Sequence, residues 1–119
     1  MNRLLLGRAG EEAALAEYER DGYAVVARNW RCHIGEIDLI VARAGTLVVC
    51  EVKSRSNPAF GGGWEAVTPA KQQRLRRLAQ LFLLESRIAP CNVRFDVASV
   101  EASPSGDRVR EVVIFEDAF

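Results

Sequence analysis

The chain has 119 residues, 49% hydrophobic and 27% charged, with 16 Lys/Arg balanced by 16 Asp/Glu. That length suits one domain over residues 1–119, with an ordinary hydrophobic core that needs neither disulfides nor structural metal, and the zero net charge argues against strong non-specific nucleic-acid binding. Three cysteines without a C-x-x-C pair, and an opening MNRLLLGRAGEE that turns polar within ten residues, predict a reduced, cytoplasmic protein with no signal peptide and no membrane span.

In chain order, residues 4–21 are rich in Ala, Leu and Glu and read as a helix that Gly22 ends. Arg8, Glu12, Ala16 and Glu19 trace its polar side, and Gly7, Glu11, Ala14, Leu15 and Tyr18 the other, so Glu11 is an acid on the face that should pack inward. YAVVARNWR (23–31) is the first strand, EIDLIVAR (36–43) the second and TLVVCEVKS (46–54) the third. Residues 55–67, RSNPAFGGGWEAV, are expected to form a mobile loop. Thr68 as N-cap and Pro69 at the first helical position open a second helix to residue 86, with Leu75, Leu78, Ala79, Phe82 and Leu83 inward. Lys71, Arg74 and Arg77 lie together on the side away from that stripe. CNVRFDVASVE (91–101) is a fourth strand, SPSGD a turn, and RVREVVIF (108–115) a fifth strand. The order α-β-β-β-α-β-β implies an α/β fold, one mixed sheet flanked by helices. The charge is uneven along it: residues 28–80 carry nine Lys/Arg against four acids, and residues 81–119 four Arg against seven acids, so a local basic surface is expected in the middle of the chain.

The second and third strands pose the question of function. Side chains alternate along a strand, so Glu36-Asp38-Ile40 share one face and Ile37-Leu39-Val41 the other, while Leu47-Val49-Glu51-Lys53 oppose Val48-Cys50-Val52. With Ala44-Gly45 as a two-residue turn, or Arg43 to Thr46 as a four-residue loop, Asp38 falls opposite Glu51 and Glu36 opposite Lys53; a three-residue loop or a bulge would break that match. Opposed residues have Cβ atoms about 4.5–5.5 Å apart. Two carboxylates so close repel unless they share a cation, and Mg²⁺ takes oxygen ligands at about 2.0–2.1 Å from one or two protein carboxylates. Lys53, about 7 Å further along the strand, could meet a water or a phosphate oxygen. Such a set suits metal-assisted phosphodiester hydrolysis. The same alternation is also how an ordinary solvent face reads, with Glu36–Lys53 as a common cross-strand pair.

At these residues the sequence resembles the PD-(D/E)xK nuclease superfamily and, more closely, the YraN-type UPF0102 family, which is similar to archaeal Holliday-junction resolvases. GRAGEEAA (7–14), GYAVVARNWR (22–31), GEIDLI (35–40), EVKSR (51–55), AVTPAKQQRL (66–75), RFDV (94–97) and the final AF carry the resemblance, and GEIDLI followed by EVKSR is its specific part. It implies a restriction-endonuclease-like α-β-β-β-α-β core. By the same resemblance Glu11, Asp38 and Glu51 bind Mg²⁺ or Mn²⁺, Asp38, Glu51 and Lys53 are catalytic, and Lys71 supports the site or touches phosphate. It implies a nuclease acting on nucleic acid, DNA before RNA, in branched or otherwise structured form, working as a homodimer. The alternative is a catalytically silent nucleic-acid-binding accessory module in DNA recombination, repair or uptake, and a third reading is a plain interaction domain.

The remaining polar residues are weighed singly. Arg55, Lys71 and Arg74 are candidate nucleic-acid contacts, each with the salt dependence of counterion release. Phe60 and Trp64 could stack on an unpaired base, or Trp64 could pack on the following helix. Asp96 reads as a hydrogen-bonded structural acid before a catalytic one. Cys32, His33, Cys50 and Cys91 lack the spacing of a zinc site.

Overall fold

A helix that opens on Thr-Pro, a hairpin that turns on Ala-Gly and a set of alternating strands resolve into seven elements in the computed structural model, which describes residues 3–56, 67–89, 91–106 and 108–119. They are α1 (Arg3–Arg20), β1 (Ala24–Cys32), β2 (Gly35–Arg43), β3 (Thr46–Arg55), α2 (Pro69–Ser86), β4 (Asn92–Ala102) and β5 (Val109–Phe115). The glycine-rich stretch 57–66, with Phe60 and Trp64, lies outside the described residues. The strands form one sheet in the order β1-β2-β3-β4-β5. Only β3 and β4 run parallel, and they are the pair that α2 connects, because a parallel return needs a long crossover. The architecture is therefore the expected mixed α/β sheet with an α-β-β-β-α-β core.

Each helix covers one face. Ala14, Leu15 and Tyr18 of α1 pack with Tyr23 on Leu39, Val41, Val48, Cys50 and Ala98. Leu75, Leu78, Ala79 and Phe82 of α2 pack on Ile37, Ile40, Leu47, Val49, Phe95 and Val97. The Thr68 hydroxyl accepts from the Lys71 amide at 3.2 Å and caps α2, with Pro69 at its first turn. The terminal Ala-Phe closes the α2 side: the Ala118 amide donates to the Phe95 carbonyl at 2.7 Å, and the Phe119 ring stacks on Phe95 at 5.3 Å. The Arg76 guanidinium sits 4.8 Å from the Phe95 ring centre. Among the described residues no helix is long and apolar enough to cross a membrane.

The β2–β3 turn takes the two-residue form. Arg43 pairs with Thr46, and Ala44 (φ 50°) and Gly45 (φ 79°) are both left-handed. Two positive φ values suit the right-handed twist of the strands they join; Gly45 adopts one freely, whereas Ala44 carries a strain of about 1–2 kcal/mol. This register runs only from Arg43↔Thr46 to Leu39↔Cys50. The expected pairs Asp38–Glu51 and Glu36–Lys53 do not form as ladder partners, and Glu36 instead meets Arg31 of β1 at 3.5 Å. The reason lies in the alternation. Leu39 and Val41 face α1, yet Ile37 faces α2 together with Ile40, so β2 changes phase at Asp38. β1 does the same one strand away: Ala27 and Trp30 both lie against the α2 core, and Asn29 between them has φ 51°.

Candidate functional site

Where β2 leaves β3, the backbone amide of Val52 loses its ladder partner, and Asp38 replaces it. Its Oδ2 accepts from Val52 N at 2.8 Å. The carboxyl of Asp38 thereby enters the gap between the strands, where it meets the carboxyl of Glu51 in a hydrogen bond. Glu51 is buried, at 8% exposure. Burial first, then the charge of Glu51, pushes Asp38 up to about 8, against a smaller opposing effect of the Val52 amide. Two carboxyls in contact hold a proton between them when nothing else neutralises them, and that proton belongs to the pair.

Glu11 comes from α1, and the reason it can reach the gap is Gly10. A Cβ at residue 10 would lie 1.9 Å from the Ser54 hydroxyl oxygen and 3.1 Å from its Cβ. The missing side chain lets α1 settle on β3 and brings the next residue, Glu11, to the same cavity as Asp38, Glu51, Ser54 and Arg55, a space of about 530 Å³. Ser54 Oγ, held under that helix, is a buried hydroxyl without a hydrogen-bond partner among the described residues. Burial raises Glu11, its hydrogen bond with the Asn29 side chain lowers it, and the charge of Glu36 raises it again.

Lys71 differs most from its sequence-based placement. Helical spacing sets it on the side away from the apolar stripe, yet its ammonium lies 3.2 Å from Glu51 Oε2. At the first turn of α2 its four-carbon stem reaches past the helix flank to the nearest buried charge. Lys71 and Arg74 line a second cavity of about 210 Å³ with Asp38, Glu51, Leu75 and Leu78. A third, of about 350 Å³, opens toward β1 and is lined by Arg8, Glu11, Asn29, Arg31, Glu36 and Asp38. Asp38 borders all three. Arg55 lines the first, beside Glu51 and Ser54. Lys53 is half-buried in β3, next to Ser99 in the parallel register, and lines none of these three spaces.

The structure thus brings Glu11, Asp38, Glu51 and Lys71 to one place, flanked by Arg55 and Arg74. Among the described residues no three His, Cys, Asp or Glu side chains stand close enough together to hold an ion as they are; Asp38 and Glu51 touch, and Glu11 is turned to Asn29. The donor chemistry nevertheless fits a hard divalent cation. All the groups are carboxylate oxygens, there is no thiol or imidazole among them, and an ion between Asp38 and Glu51 would replace the shared proton.

A second polar cluster lies on the α1 face, where Asp96 is the hydrogen-bonded structural acid that the sequence reading favoured, although its partners were not foreseen. Asp96 is fully buried and accepts four hydrogen bonds: Tyr18 OH at 2.7 Å, Arg94 Nε and Nη2 both at 2.9 Å, and the Asp117 amide at 3.0 Å. Arg94 Nη2 also donates to Tyr23 OH at 3.0 Å. Burial drives the Tyr18 phenol and the neighbouring Cys50 thiol up, so both stay protonated, while the Asp96 hydrogen bond drives Arg94 up and fixes its charge. This cluster bolts α1 to β4 two turns after Glu11. The signal available in sequence was Tyr18 on the inward face of the helix, a phenol that needs a buried partner.

Comparison with known proteins follows the same residues. A family model described as uncharacterised protein family UPF0102 matches residues 10–100, a span that begins at Gly10 and includes every carboxylate of the site. The chain is 48% identical over 101 residues to a UPF0102 protein of Frankia alni, covering 85% of this chain and 84% of that protein. It is 48% identical over 101 residues to a UPF0102 protein of Symbiobacterium thermophilum, covering 85% and 86%. A UPF0102 protein of Caldicellulosiruptor saccharolyticus aligns along the full length of both chains, 119 residues, at 37% identity.

Proposed function

The chain belongs to the uncharacterised protein family UPF0102, and from that premise we propose that it is a divalent-metal-dependent nuclease of the PD-(D/E)xK kind, hydrolysing phosphodiester bonds in branched or otherwise structured DNA. One observation carries the reading. The sheet opens at Asp38, and the opening holds two carboxyls in contact, with a third acid from α1 on the same cavity. Two carboxyls this close must share a proton or bind a cation, and this reading takes the cation.

In this reading Asp38 and Glu51, with Glu11, hold Mg²⁺ or Mn²⁺. When bound, the ion supplies a water of lowered pKa and a charge against the phosphoryl oxygens. The protein's own residues do the rest. The Val52 amide fixes one oxygen of Asp38 and leaves the other to the gap. Lys71 anchors one oxygen of Glu51 at 3.2 Å and keeps its carboxylate from turning away. Lys53, one residue beyond Val52 on β3, lines none of the three cavities; its place in this reading, where its ammonium would meet the water or the charge that builds on phosphorus, rests on the sequence resemblance alone. Arg55 and Arg74, on two of the cavities, take flanking phosphates, the electrostatic part of DNA binding. Action as a homodimer in the cytoplasm belongs to the same reading; the dimer rests on the resemblance to resolvases read from the sequence, and the cytoplasm on three cysteines without a C-x-x-C pair.

The test is a panel of single-stranded, duplex, flap and four-way-junction DNA with Mg²⁺ or Mn²⁺, wild type beside Asp38→Ala, Glu51→Ala and Lys53→Ala. Ion-dependent cleavage that vanishes in the carboxylate variants while DNA binding persists supports the proposal. Binding without cleavage under either ion sinks it in favour of a catalytically silent nucleic-acid-binding accessory module. One observation favours that second reading: Lys71 already gives Glu51 a cationic partner.

A further inference from the structure

β1 carries an irregularity for which its own strand has no use. Asn29 is left-handed at φ 51° in the middle of a nine-residue strand. Asn tolerates that conformation better than most residues, yet mid-strand it persists only where its surroundings over-determine it. The pairs Arg28↔Leu39 and Trp30↔Ile37 set Asn29 directly across from Asp38, the residue at which β2 also changes phase. Both strands are re-aimed at the same level. The result is that the Asn29 side chain leaves the alternation, lines the cavity shared by Glu11 and Asp38, and meets the Glu11 carboxyl in a hydrogen bond.

The identity of the partner matters. Arg28 and Arg31 stand on either side in sequence, and either would neutralise Glu11 and compete with a cation. The charges of Arg28 and Arg31 do reach Glu11 and lower it, after burial, the Asn29 hydrogen bond and the charge of Glu36. The ion pairs they form are with other acids, Arg28 3.6 Å from Glu12 and Arg31 3.5 Å from Glu36. Asn29 presents an amide, which donates a hydrogen bond without bringing a charge. It can fix the rotamer of a carboxylate and leave its negative charge and second oxygen for an ion, which is the work of groups that orient metal ligands.

We infer that Asn29 is a positioning residue for Glu11: its left-handed backbone and neutral amide hold the third carboxylate ready for the divalent ion. The inference rests on the metal-site reading above. It places the selectivity for an uncharged orienting group in β1, a strand that supplies no ligand itself.

Mn²⁺ binding by titration calorimetry tests it without any need for activity. Asn29→Gly keeps the left-handed backbone and removes only the amide. It should weaken Mn²⁺ binding about 10–100-fold with an unchanged melting temperature. A double-mutant cycle separates positioning from general structure. In a Glu11→Ala background Asn29→Gly should have no further effect on Mn²⁺ affinity. Full affinity in Asn29→Gly, or an undiminished effect of Asn29→Gly in the Glu11→Ala background, overturns the inference and leaves the metal site standing. Absence of Mn²⁺ binding by the wild type overturns both.

Discussion

Asp38 and Asp96 are buried or half-buried acids in the same sheet, two strands apart, and the fold treats them in opposite ways. Asp96 receives four donors, two of them from one guanidinium, so its charge is fully answered from within the chain. Asp38 receives one backbone donor and faces another carboxyl. A buried carboxylate with its own arginine is complete, and its energy goes into holding elements together. A buried carboxyl that faces another acid is incomplete without a proton or a cation. The first kind of acid builds the frame and the second waits in it. The frame also serves the site, since the Tyr18–Asp96 bond docks the helix from which Glu11 projects.

Substitution of the two acids should separate these roles most sharply. On the proposed reading, Asp38→Ala should lower ion-dependent cleavage by about 10³-fold or more, as loss of a metal ligand and its electrostatic support does, while the melting temperature at neutral pH stays level or rises because the cost of keeping a buried carboxyl protonated is gone. Cleavage that survives would make Asp38 a frame residue after all. Asp96→Ala should do the reverse and cost about 3–5 kcal/mol of stability in urea unfolding, since it strands Arg94 and the Tyr18 hydroxyl. A loss under 1 kcal/mol would mean that the four bonds are worth little in solution.

Titration is the next lever. Asp38 sits at about 8 in the folded chain against an ordinary value of 3.8, so between those values the native state binds more protons than the unfolded one. Stability should therefore be greatest on the acid side of that window and fall as pH rises through it, with a slope of up to about 1.4 kcal/mol per pH unit. Denaturation at a series of pH values should show the slope in the wild type and its loss in Asp38→Asn, which keeps an acceptor for the Val52 amide. Added Mn²⁺ should flatten the slope by replacing the proton. An identical slope in Asp38→Asn would assign the proton elsewhere. The smallest expected effect belongs to Tyr18→Phe, about 1–1.5 kcal/mol for one buried hydrogen bond. Asp96 keeps its arginine there, so the variant also measures how much of the docking of α1 rests on that single phenol.

The elements were legible because each carries its own local signal. Thr68-Pro69 opens α2, Gly45 turns the hairpin, and the periodic apolar residues of β2 to β4 and α2 give both faces of the sheet. That Glu11 lies on the side of its helix turned to the sheet, and that Asp38 lies close to Glu51, were legible too, from helical and strand spacing, and the nearness of Lys71 to them was legible only from family resemblance. The way Asp38 and Glu51 meet was not. Strict alternation made them ladder partners, whereas they meet because the ladder has ended and a side chain has taken over a backbone bond. Asn29 gave no signal at all, because a left-handed residue inside a strand is imposed by its neighbours. Nor did the helical wheel place Lys71 against Glu51, since a long side chain can leave the direction in which its Cβ points.

What the sequence determined by itself was the order and span of the helices and strands, the two apolar faces and the set of acids available, since these follow from period, propensity and turn chemistry within a few residues. Tertiary structure alone decided where the sheet splits, which acid is answered by an arginine and which by another acid, and which lysine reaches the gap. Those outcomes depend on contacts between residues far apart in the chain, Tyr18 with Asp96 and Asp38 with Val52 among them, and burial sets their strength only once both partners are in place.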